Sequence, residues 1–409
     1  MIIILILVIN SGSSSLKFNL FKIINKKLFD ICSGICENIG NLHSNIKYNY
    51  YKNYKNTKKF MQEIFFKNHK EAFKYIKKIL CTDKNAPIKN FGEIYAIGHR
   101  VVHGGDFFPE PVIINNKIIE KIKNLIPLAP IHNAVNLEGI LDCQQEFPGV
   151  KQVAVFDTSF FFNLPEKVNK YPIPNNLSEK YHIKKYGFHG ISHSWVLKKY
   201  INITNKKKFK IISCHLGSGS SICAIKDGKP IDTSMGLTPL GGIMMGTRSG
   251  SLDPSVITFL ISKSNMNYQE INEILNKKSG LLGISEVSSD IRKLFENNNN
   301  SKCRLAIDMF VYRIIKYIGS YIAALGGLDS LIFTGGIGEN DSKIRQKICE
   351  NFEFMNLKLD KNLNSQNIYN NYNYNNNYYN IISKKDSKIS IFVIKSNEEL
   401  SIAHSILSI

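Results

Sequence analysis

The chain has 409 residues, of which 43% are hydrophobic and 21% charged, so it can form two or three domains with ordinary globular cores. Its formal net charge of +20 would suit nucleic acid or an anionic membrane surface. Much of the lysine, however, lies in Asn-, Ile- and Tyr-rich stretches such as residues 45–59, which indicates solvated surface. We therefore expect neither nucleic acid nor a membrane as a partner.

Eight cysteines are scattered along the chain without a CxxC pair. This pattern supports neither a zinc site nor a disulfide framework and favours a reducing cytoplasm. The apolar start, residues 2–9, has no cationic segment before it and no small-residue cleavage site after it, and it is too short to span a bilayer. We interpret it as a buried central strand.

The first apolar run ends at Asn10, a Ser/Gly cluster follows, and alternation resumes at Leu16, which is the pattern of strand, tight turn and strand. The turn contains Gly12, serines at positions 13–15 and then Lys17. Backbone N–H groups, hydroxyls and a cation in one turn would form a concave phosphate site. A plain solvated hairpin is the alternative.

Residues 28–38 resemble a strand, and the polar residues 41–60 are expected to form an exposed hairpin or loop. Residues 71–80 have helical spacing. The stretch YAIGHRVVHGGDF, residues 95–107, predicts a short strand that carries Arg100 and ends at a glycine pair. Arg100 would either hold a carboxylate or phosphate through two hydrogen bonds or form a surface salt bridge.

Residues 128–136 precede a helix that is expected to begin near Leu137. His132 is then either a neutral donor at a site or a residue at the start of the helix. Residues 151–157, KQVAVFD, predict a strand ending on Asp157. Carboxylates at such strand ends commonly face the ligand crevice of α/β proteins, and we place the first domain boundary here.

The stretch YGFHGISHSW, residues 186–195, places His193 four residues after His189 but lacks the glutamate of an HExxH zinc site. Residues 210–225 repeat the form of the opening stretch, with a strand, a Gly/Ser turn at 217–221 and a second strand. A duplicated hairpin of this kind is less common than a single one. The repeat predicts a duplicated domain with phosphate held between the halves.

The last third of the chain carries further candidates. Glycine-rich residues 233–253 include Pro239 and Arg248, and Asp253-Pro254 is expected to open a helix whose apolar face is Val256, Ile257, Leu260 and Ile261. Residues 305–325 predict one long apolar helix, either core or subunit contact. The stretch LDSLIFTGGIGEN, residues 328–340, predicts a strand, a glycine turn and a helix that has Glu339 and Asp341 in its first turn. Bare backbone there suits adenosine, and a plain strand-to-helix turn is the alternative.

The Asn- and Tyr-rich residues 361–380 are expected to be a mobile surface insertion. A strand at 389–394 precedes the final helix, where Ser396 and Glu399 fit a capping box. Glu398 then has a structural role available, because a carboxylate complements the helix dipole at this end.

Taken together, these stretches resemble the acetate and butyrate kinase family. The matching stretches run in order over almost the whole chain: NSGSSSLK (10–17), GHRVVHGG (98–105), APIHN (129–133), VFDTSF (155–160), YGFHGISH (186–193), HLGSGSS (215–221), MGTRSG (245–250), GGIGEN (335–340) and SNEEL (396–400). The resemblance implies an α/β fold of two duplicated ribonuclease H-like (actin-like ATPase) domains flanking a nucleotide cleft. Residues 1–156 and 395–409 would form the acetate and phosphate domain, closed by the C-terminal helix. Residues 157–394 would form the adenosine domain, through which a homodimer assembles.

The resemblance also implies reversible, Mg²⁺-dependent, in-line transfer of the ATP γ-phosphoryl group to acetate, giving acetyl phosphate and ADP, with Mn²⁺ as the alternative metal. Phosphoryl transfer mainly requires alignment and charge stabilisation. The implied catalytic residues are Arg100, Arg248, His189, His132 and Asp157, with Arg100 also holding the acetate carboxylate. The implied metal-binding residues are Asn10, Asp157 and Glu398, acting directly or through water.

The implied substrate contacts form three sets. The ATP-binding set comprises Asn10, Ser13, Ser15, Lys17, His215, Leu216, Gly217, Ser218, Gly219, Asp290, Ile291, Arg292, Gly336, Ile337, Gly338, Glu339 and Asn340. Arg100 binds acetate, and the acetate methyl would meet an apolar wall of Val102, Ile131, Phe188 and Pro239. One methylene discriminates by only about 1–3 kcal/mol, so propionate is expected to react more poorly than acetate.

Three positions depart from the usual family pattern: Ser218 replaces Asn, Phe161 replaces His and Gly241 replaces Glu. We expect Ser218 to keep a hydroxyl donor, so that ATP binding weakens while activity survives. The alternatives to an acetate kinase are a propionate or butyrate kinase, a non-catalytic nucleotide switch, and a nucleic-acid binder. The presence of both arginines, His189, Asp157 and Glu398 argues against the switch, which needs no acceptor pocket.

Overall fold

The computed structural model describes residues 4–25, 27–53, 56–366 and 379–409. Most of the Asn- and Tyr-rich segment, residues 367–378, therefore lies outside the described residues. The chain divides into two compact units, Met1–Phe162 with Asn397–Ile409, and Asn163–Ser396. The boundaries predicted from sequence were 156/157 and 394/395. Asp157 groups with the first unit because its N–H donates to the carbonyl of Val101, 3.0 Å away.

The first unit is built on an eight-stranded sheet. Its strands are β1 (Ile4–Ser11), β2 (Ser15–Ile24), β3 (Lys27–Glu37), β4 (Asn45–Asn53), β5 (Asn56–Glu63), β6 (Ile94–Val101), β7 (Val112–Ile113) and β8 (Lys151–Phe156), in the order β5-β4-β3-β2-β1-β6-β8-β7. Its helices are α1 (His69–Cys81), α2 (Asn116–Asn124), α3 (Pro130–Glu146) and the C-terminal helix Glu398–Ile406. Short 3₁₀ turns cover Phe91–Glu93, Ile126–Leu128 and Ser159–Phe161.

The second unit is built on a six-stranded sheet. Its strands are β9 (Lys210–Leu216), β10 (Ser220–Lys226), β11 (Lys229–Thr233), β12 (Ser330–Thr334), β13 (Tyr379–Ile381) and β14 (Ser390–Ile394), in the order β11-β10-β9-β12-β14-β13. Its helices are α4 (Glu166–Asn169), α5 (Asn175–Tyr181), α6 (Gly190–Thr204), α7 (Ser255–Ser264), α8 (Tyr268–Glu273), α9 (Gly280–Ser285), α10 (Ile291–Glu296), α11 (Ser301–Leu325), α12 (Gly335–Asn340), α13 (Ser342–Cys349) and α14 (Lys361–Ser365). A π-helical turn covers Ile274–Lys278 and a 3₁₀ turn covers Glu350–Met355. The C-terminal helix is α15.

Six strands of each sheet share one topology, and the first sheet adds β4 and β5 beside its third strand. In each, a first strand pairs antiparallel with a second and the second with a third, while a fourth and fifth strand run parallel on the other side. Each sheet also adds an antiparallel edge strand beside the fifth. The prediction that the two Ser/Gly hairpins are copies within a duplicated domain is confirmed.

Strand β1 is buried on both faces, which explains its continuous apolar run. Helices α1 and α3 cover one face of this part of the sheet, and α15 packs on β1 and β6. Gly98 permits this packing, because a Cβ there would lie 2.5 Å from the Cδ1 of Ile406. Burial of Ile402 and Ile406 contributes roughly 1.5–3 kcal/mol for each side chain and fixes the helix that carries Glu398.

In the second unit, the 25-residue helix α11 buries Phe310, Ile314 and Ile318 in the main core. Helix α6 buries Trp195 and Tyr200. The long helix predicted at 305–325 is confirmed and is chiefly core. Within the described residues, no helix is long and apolar enough to cross a bilayer.

Four local predictions were wrong. Helix α3 begins at Pro130 and not near Leu137, because proline suits the first position of a helix. Helix α7 begins at Ser255, one residue after the proline predicted to open it. The hairpin at 45–63 exists but is not simply exposed, since Ile46, Tyr48 and Tyr50 enter the core. Helix α15 is capped by Asn397, whose Oδ1 accepts from the Leu400 N–H at 2.9 Å, and not by Ser396.

Candidate active site

Arg100 lies near the carboxyl end of β6 with two carboxylates of the same unit. Its Nη2 is 2.5 Å from Asp157 Oδ2, and its Nε is 3.6 Å from Glu398 Oε2. The exposed fractions of the side chains are 20% for Arg100 and 1% for Asp157, so this is a largely buried pair. Although burial opposes the charged form, the carboxylates of Asp157 and Glu398 raise the pKa of Arg100 above its ordinary value. The alternative of an ordinary surface salt bridge is therefore wrong.

Helix α3 fixes the backbone that follows Arg100. Asn136 accepts from the Val102 N–H at 3.0 Å and donates to the Ser11 carbonyl at 2.9 Å. Asn133 accepts from the His103 N–H at 3.0 Å and donates to the His103 carbonyl at 2.9 Å. Both asparagines are buried. They tie the first hairpin and the end of β6 to one rigid helix, which holds Arg100 in a fixed position.

Because α3 begins at Pro130, the predicted residues Ile131 and His132 both lie in its first turn. His132 is partly buried, and its role as a donor stays a prediction. Ile131 is 40% exposed, whereas Val102 is 6% exposed. The two side chains therefore differ in exposure, and the apolar wall for the acetate methyl stays a prediction.

The first Ser/Gly hairpin is a tight turn between β1 and β2. Its Gly12 N–H donates to the Ser15 carbonyl at 2.8 Å, and Ser13 is exposed. Asn10 pairs directly with Lys17 across the two strands, so their side chains lie on the same face of the sheet. The hairpin therefore presents the hydroxyl of Ser13 at its tip and an amide and a cation on its flank.

Glu399 is a third carboxylate in this half of the site. Burial raises its pKa and Glu398 adds to the rise, while Lys17 and Arg100 oppose it. These interactions place Glu399 within electrostatic reach of residues from the hairpin and from β6. Our sequence analysis gave Glu399 only a capping role. The adjacent glutamates in SNEEL were the available signal.

In the second unit, the β9–β10 hairpin brings together three predicted residues. A Cβ on Gly219 would lie 3.3 Å from His189 Nε2 and 3.7 Å from Arg248 Nη1, so the imidazole and the guanidinium both lie beside the position that a side chain would occupy there. Ser220 Oγ closes the turn, accepting from the Gly217 N–H at 3.0 Å and lying 2.9 Å from the Gly217 carbonyl. Ser218 is exposed, and its carbonyl accepts from the Gly246 N–H.

The glycine-rich loop holds Arg248 against its neighbours in the same unit. Arg248 Nη1 donates to the Pro239 carbonyl at 3.1 Å, so these two predicted site residues lie next to each other. The Met245 N–H donates to the Arg248 carbonyl, and the Ser279 N–H donates to the Thr247 carbonyl. The loop is therefore anchored on both sides of the guanidinium.

His189 precedes α6 with a left-handed φ of 58°, which is uncommon for a residue with a side chain. Its ring stacks on His215 with centroids 4.4 Å apart. Its Nδ1 lies 2.9 Å from Ser221 Oγ, and His215 Nδ1 lies 2.8 Å from Ser192 Oγ. Phe188 is 1% exposed, so it belongs to the packed interior beside this histidine cluster.

The GGIGEN segment forms the short helix α12 after β12. Gly335 has a φ of 78° and approaches β9 so closely that a Cβ would lie 2.7 Å from the Leu216 carbonyl oxygen. Gly336, Ile337, Gly338 and Asn340 follow along the helix, and Asn340 donates back to the Gly336 carbonyl. Asp341 caps the next helix, α13, so the single helix predicted to hold both Glu339 and Asp341 in its first turn is wrong.

The carboxylate of Glu339 is turned inward. Its Oε1 accepts from the Gly335 N–H at 2.9 Å and from the N–H and Oγ–H of Ser396 at 2.8 and 2.7 Å. Oε1 therefore holds the glycine turn, and the contact of Glu339 with a nucleotide stays a prediction. Buried Arg345 supports the same turn by donating to the carbonyls of Gly338 and Glu339, and no sequence motif had pointed to it.

Asp290 and Arg292 form a local pair at the start of α10. Asp290 Oδ1 accepts from the Arg292 N–H, and the Arg292 Nη2 is 2.6 Å from Asp290 Oδ2. Arg292 lowers the pKa of Asp290 through this hydrogen bond. Ile291 between them is 3% exposed and packs in the core. The side chains of Asp290 and Arg292 therefore remain the candidates for adenosine contact, whereas that of Ile291 does not.

The predicted metal ligands fit a hard divalent cation in donor type. Asp157 and Glu398 converge on Arg100, and Asn10 lies at the end of β1 in the same unit. Mg²⁺ is commonly held by one or two carboxylates and several waters. Among the described residues, no group of three or more His, Cys, Asp or Glu could enclose a metal ion. A two-carboxylate, water-rich site is therefore the arrangement that this unit could supply.

The sequence and the structure were compared with known proteins. The profile of the Acetokinase family matches residues 5–404. The chain belongs to the acetokinase family. It is 45% identical to the acetate kinase of Caldicellulosiruptor saccharolyticus over 402 residues, 97% of each chain. Acetate kinase from Porphyromonas gingivalis is similar in structure, with a TM-score of 0.87, 40% identity and 99% coverage of each chain. A propionate kinase from Francisella tularensis gives a TM-score of 0.88, 40% identity and 98% coverage.

These matches confirm the predicted family, its phosphotransferase class and its duplicated actin-like fold. The roles of individual residues, the metal, the dimer and the cytoplasmic location stay predictions. Our sequence analysis gave no function to His193 and treated Ser221 only as a turn residue. Both residues are buried and lie behind His189. The available signal was that they lie within YGFHGISH and HLGSGSS, two of the stretches that resemble the family. Only the fold places the two residues side by side.

Proposed function

We propose that this member of the acetokinase family transfers the γ-phosphoryl group of ATP reversibly to acetate. The observation that supports it is the Arg100 guanidinium held between Asp157 and Glu398 at the end of β6. In the reaction, an acetate oxygen forms a bond to the γ-phosphorus. The bond from that phosphorus to the bridging oxygen breaks, and ADP leaves with the electron pair. Acetate is ionised at pH 7, so no general base is required.

Each charged residue has a separate role in this proposal. Arg100 binds the acetate carboxylate and, with Arg248, stabilises negative charge on the transferring group. His189 donates a hydrogen bond to that group, and His132 provides a second donor. An arginine that meets a transferring phosphoryl group is worth roughly 10³–10⁵ in rate in other enzymes of this chemistry.

The remaining predicted residues bind the nucleotide and the metal. The two hairpins supply N–H groups and hydroxyls to the phosphates, and α12 with Asp290 and Arg292 receives the adenosine. Asp157 and Glu398, with Asn10 nearby, would hold Mg²⁺, with Mn²⁺ as the alternative. When bound, the metal neutralises phosphate charge.

The acyl substrate is tested by measuring hydroxamate formation from ATP, Mg²⁺ and hydroxylamine with acetate, propionate or butyrate. We expect the highest kcat/KM for acetate, a lower value for propionate and the lowest for butyrate. A higher value for propionate would favour a propionate kinase, as the similarity to the Francisella protein allows. Absence of product with every acid would favour a non-catalytic nucleotide-binding switch.

We propose in addition that two copies of the chain assemble through the second unit. Helix α7 exposes several apolar side chains: Val256 is 40% exposed, Ile257 37%, Phe259 61% and Ile261 50%. An apolar surface of this kind marks an interaction site. The double variant Phe259→Ser, Ile261→Ser should be monomeric by light scattering when the unmodified protein is dimeric. A monomeric unmodified protein would refute the proposal.

A further inference from the structure

A chain of four side chains runs through the interior of the second unit and ends on His189. Ser213 Oγ lies 2.9 Å from His193 Nδ1, and His193 Nε2 lies 2.8 Å from Ser221 Oγ. Ser221 Oγ in turn lies 2.9 Å from His189 Nδ1. Ser213, His193 and Ser221 are fully buried. We name these four residues the serine–histidine relay.

Proton counting leaves few arrangements for the relay. Burial lowers the pKa of His193 well below its ordinary value, and the neighbouring His215 ring lowers it further, so His193 is neutral. A neutral imidazole has one donor and one acceptor nitrogen, and a serine hydroxyl has one proton. If every link is a hydrogen bond, Ser221 donates to at most one histidine and accepts from the other, or it accepts from both.

Three arrangements satisfy every link. In the first, Ser213 donates to His193 Nδ1, His193 Nε2–H donates to Ser221, and Ser221 donates to His189 Nδ1. A neutral His189 then carries its proton on Nε2. In the second arrangement every direction is reversed, so His189 carries its proton on Nδ1 and presents Nε2 as an acceptor. In the third, His193 Nε2–H and His189 Nδ1–H both donate to Ser221, so a neutral His189 again presents Nε2 as an acceptor.

The surroundings of His189 Nε2 favour the first arrangement. This nitrogen faces the β9–β10 hairpin, at Gly219, where Arg248 Nη1 also lies. A cation and backbone N–H groups at one turn attract an anion, and an acceptor nitrogen pointing at an anion would repel it. The left-handed backbone at His189 and its stacking on His215 hold the ring with Nδ1 toward the relay and Nε2 toward the hairpin.

We propose that Ser221 and His193 are positioning residues that hold His189 as the Nε2–H tautomer, so that Nε2 donates to the transferring phosphoryl group. The inference rests on the proposed function for the identity of the anion. The relay defines a task for His193 and Ser213, which touch neither ATP nor acetate in the proposal above. The effect should weaken with each step away from His189.

The direct test is the tautomer itself. The full-length protein is labelled with ¹⁵N-histidine, and long-range ¹H–¹⁵N spectra are recorded with and without ADP. The His189 signals are assigned by their loss in His189→Asn. We expect a protonated Nε2 and an unprotonated Nδ1 on His189. An unprotonated Nε2 in an active enzyme would overturn the relay proposal and leave the proposed function intact. Since the spectra need no turnover, an inactive protein would refute the proposed function separately.

Kinetics provide a second readout. Ser221→Ala should lower kcat by roughly 10-fold, the scale of one lost hydrogen bond, with less than about a 3-fold change in KM for ATP and acetate. Ser213→Ala should lower kcat by about 3-fold, since it acts one link further away. Ser330→Ala is the matched control, because it removes another buried serine hydrogen bond, to Tyr200 at 3.1 Å, outside the relay.

The outcomes separate positioning from mere stability. If Ser221→Ala and Ser330→Ala lower the melting temperature alike and only Ser221→Ala lowers kcat, the relay is supported. Equal kcat values in both variants would overturn it. Where Ser221→Ala fails to fold, Ser213→Ala and the spectra of the unmodified protein still decide the question.

Discussion

The six strands that the two sheets have in common follow the same order, but the two units place different groups at the strand ends. In the first unit, the two central parallel strands end on charged side chains, Arg100 on β6 and Asp157 directly after β8. In the second unit, the corresponding strand β12 ends on the glycine turn of α12, and its carboxylate, Glu339, is turned inward to hold backbone. One copy of the fold thus presents charge and the other presents bare backbone.

This difference shows where a duplicated fold can vary. Each sheet has its own edge where the central strands end. A residue placed at such an edge becomes available to a ligand. In the first unit the charges are held by α3 and α15. In the second unit, the catalytic candidates His189 and Arg248 come instead from the start of α6 and from a loop. The following predictions test this division, from the largest expected effect to the smallest.

Replacing Arg100 should have the largest effect. We expect Arg100→Ala to lower kcat by roughly 10³–10⁵, since the transferring group loses its cation. The buried Asp157 also loses its partner, which should lower the free energy of unfolding by about 3 kcal/mol. Hydroxamate assays and urea unfolding measure the two effects. Lys185→Met, which breaks the partly buried pair with Asp232, is the control and should leave kcat unchanged.

Arg248 should act on the transition state more than on binding. We expect Arg248→Ala to lower kcat by roughly 10³ and to raise the KM for ATP by less than about 3-fold. Steady-state kinetics with varied ATP decide between the two effects. A loss confined to KM would mean that the arginine only binds ATP in its ground state. Arg304→Ala, which removes an exposed arginine bonded to the carbonyls of Asn298 and Asn299, should change neither quantity.

Glu339 should affect stability and nucleotide binding more than turnover. Glu339→Ala leaves three donors, on Gly335 and Ser396, without their acceptor, which should cost about 1–3 kcal/mol in the free energy of unfolding. The KM for ATP should rise because the glycine turn loosens. Glu339→Gln keeps an acceptor oxygen and should be milder. A variant whose kcat falls while stability and KM stay constant would show that this carboxylate acts in the reaction.

The smallest effect is expected at Ser218. This exposed residue bonds to the neighbouring loop through its backbone carbonyl, which a substitution leaves in place. We expect Ser218→Asn to remain active, with a KM for ATP that is unchanged or lower by about 3-fold, the scale of one hydrogen bond. Loss of activity would show that the hydroxyl has a role that an amide cannot fill.

Much of this organisation could be predicted from the sequence. The alternation around Asn10 and around Gly217 predicted both hairpins, and their repetition predicted the duplicated fold, because strand and turn patterns are local. The residue stretches around Arg100, Asp157, His189 and Arg248 identified the family. Our sequence analysis missed the start of α3 at Pro130. A proline favours the start of a helix only weakly, and the packing of the residues after it contributes more to where the helix begins.

Only the tertiary structure decided how these residues work together. Glu398 could be a helix-dipole carboxylate from sequence alone, and it meets Arg100 because α15 packs on β1 and β6 over Gly98. Glu339 looked like a ligand contact and became an internal acceptor because β12 and Ser396 converge on it. His193 and Ser221 lie 28 positions apart and meet across α6 and β10. The sequence determined the elements and the chemistry available, while long-range packing determined which polar groups became partners.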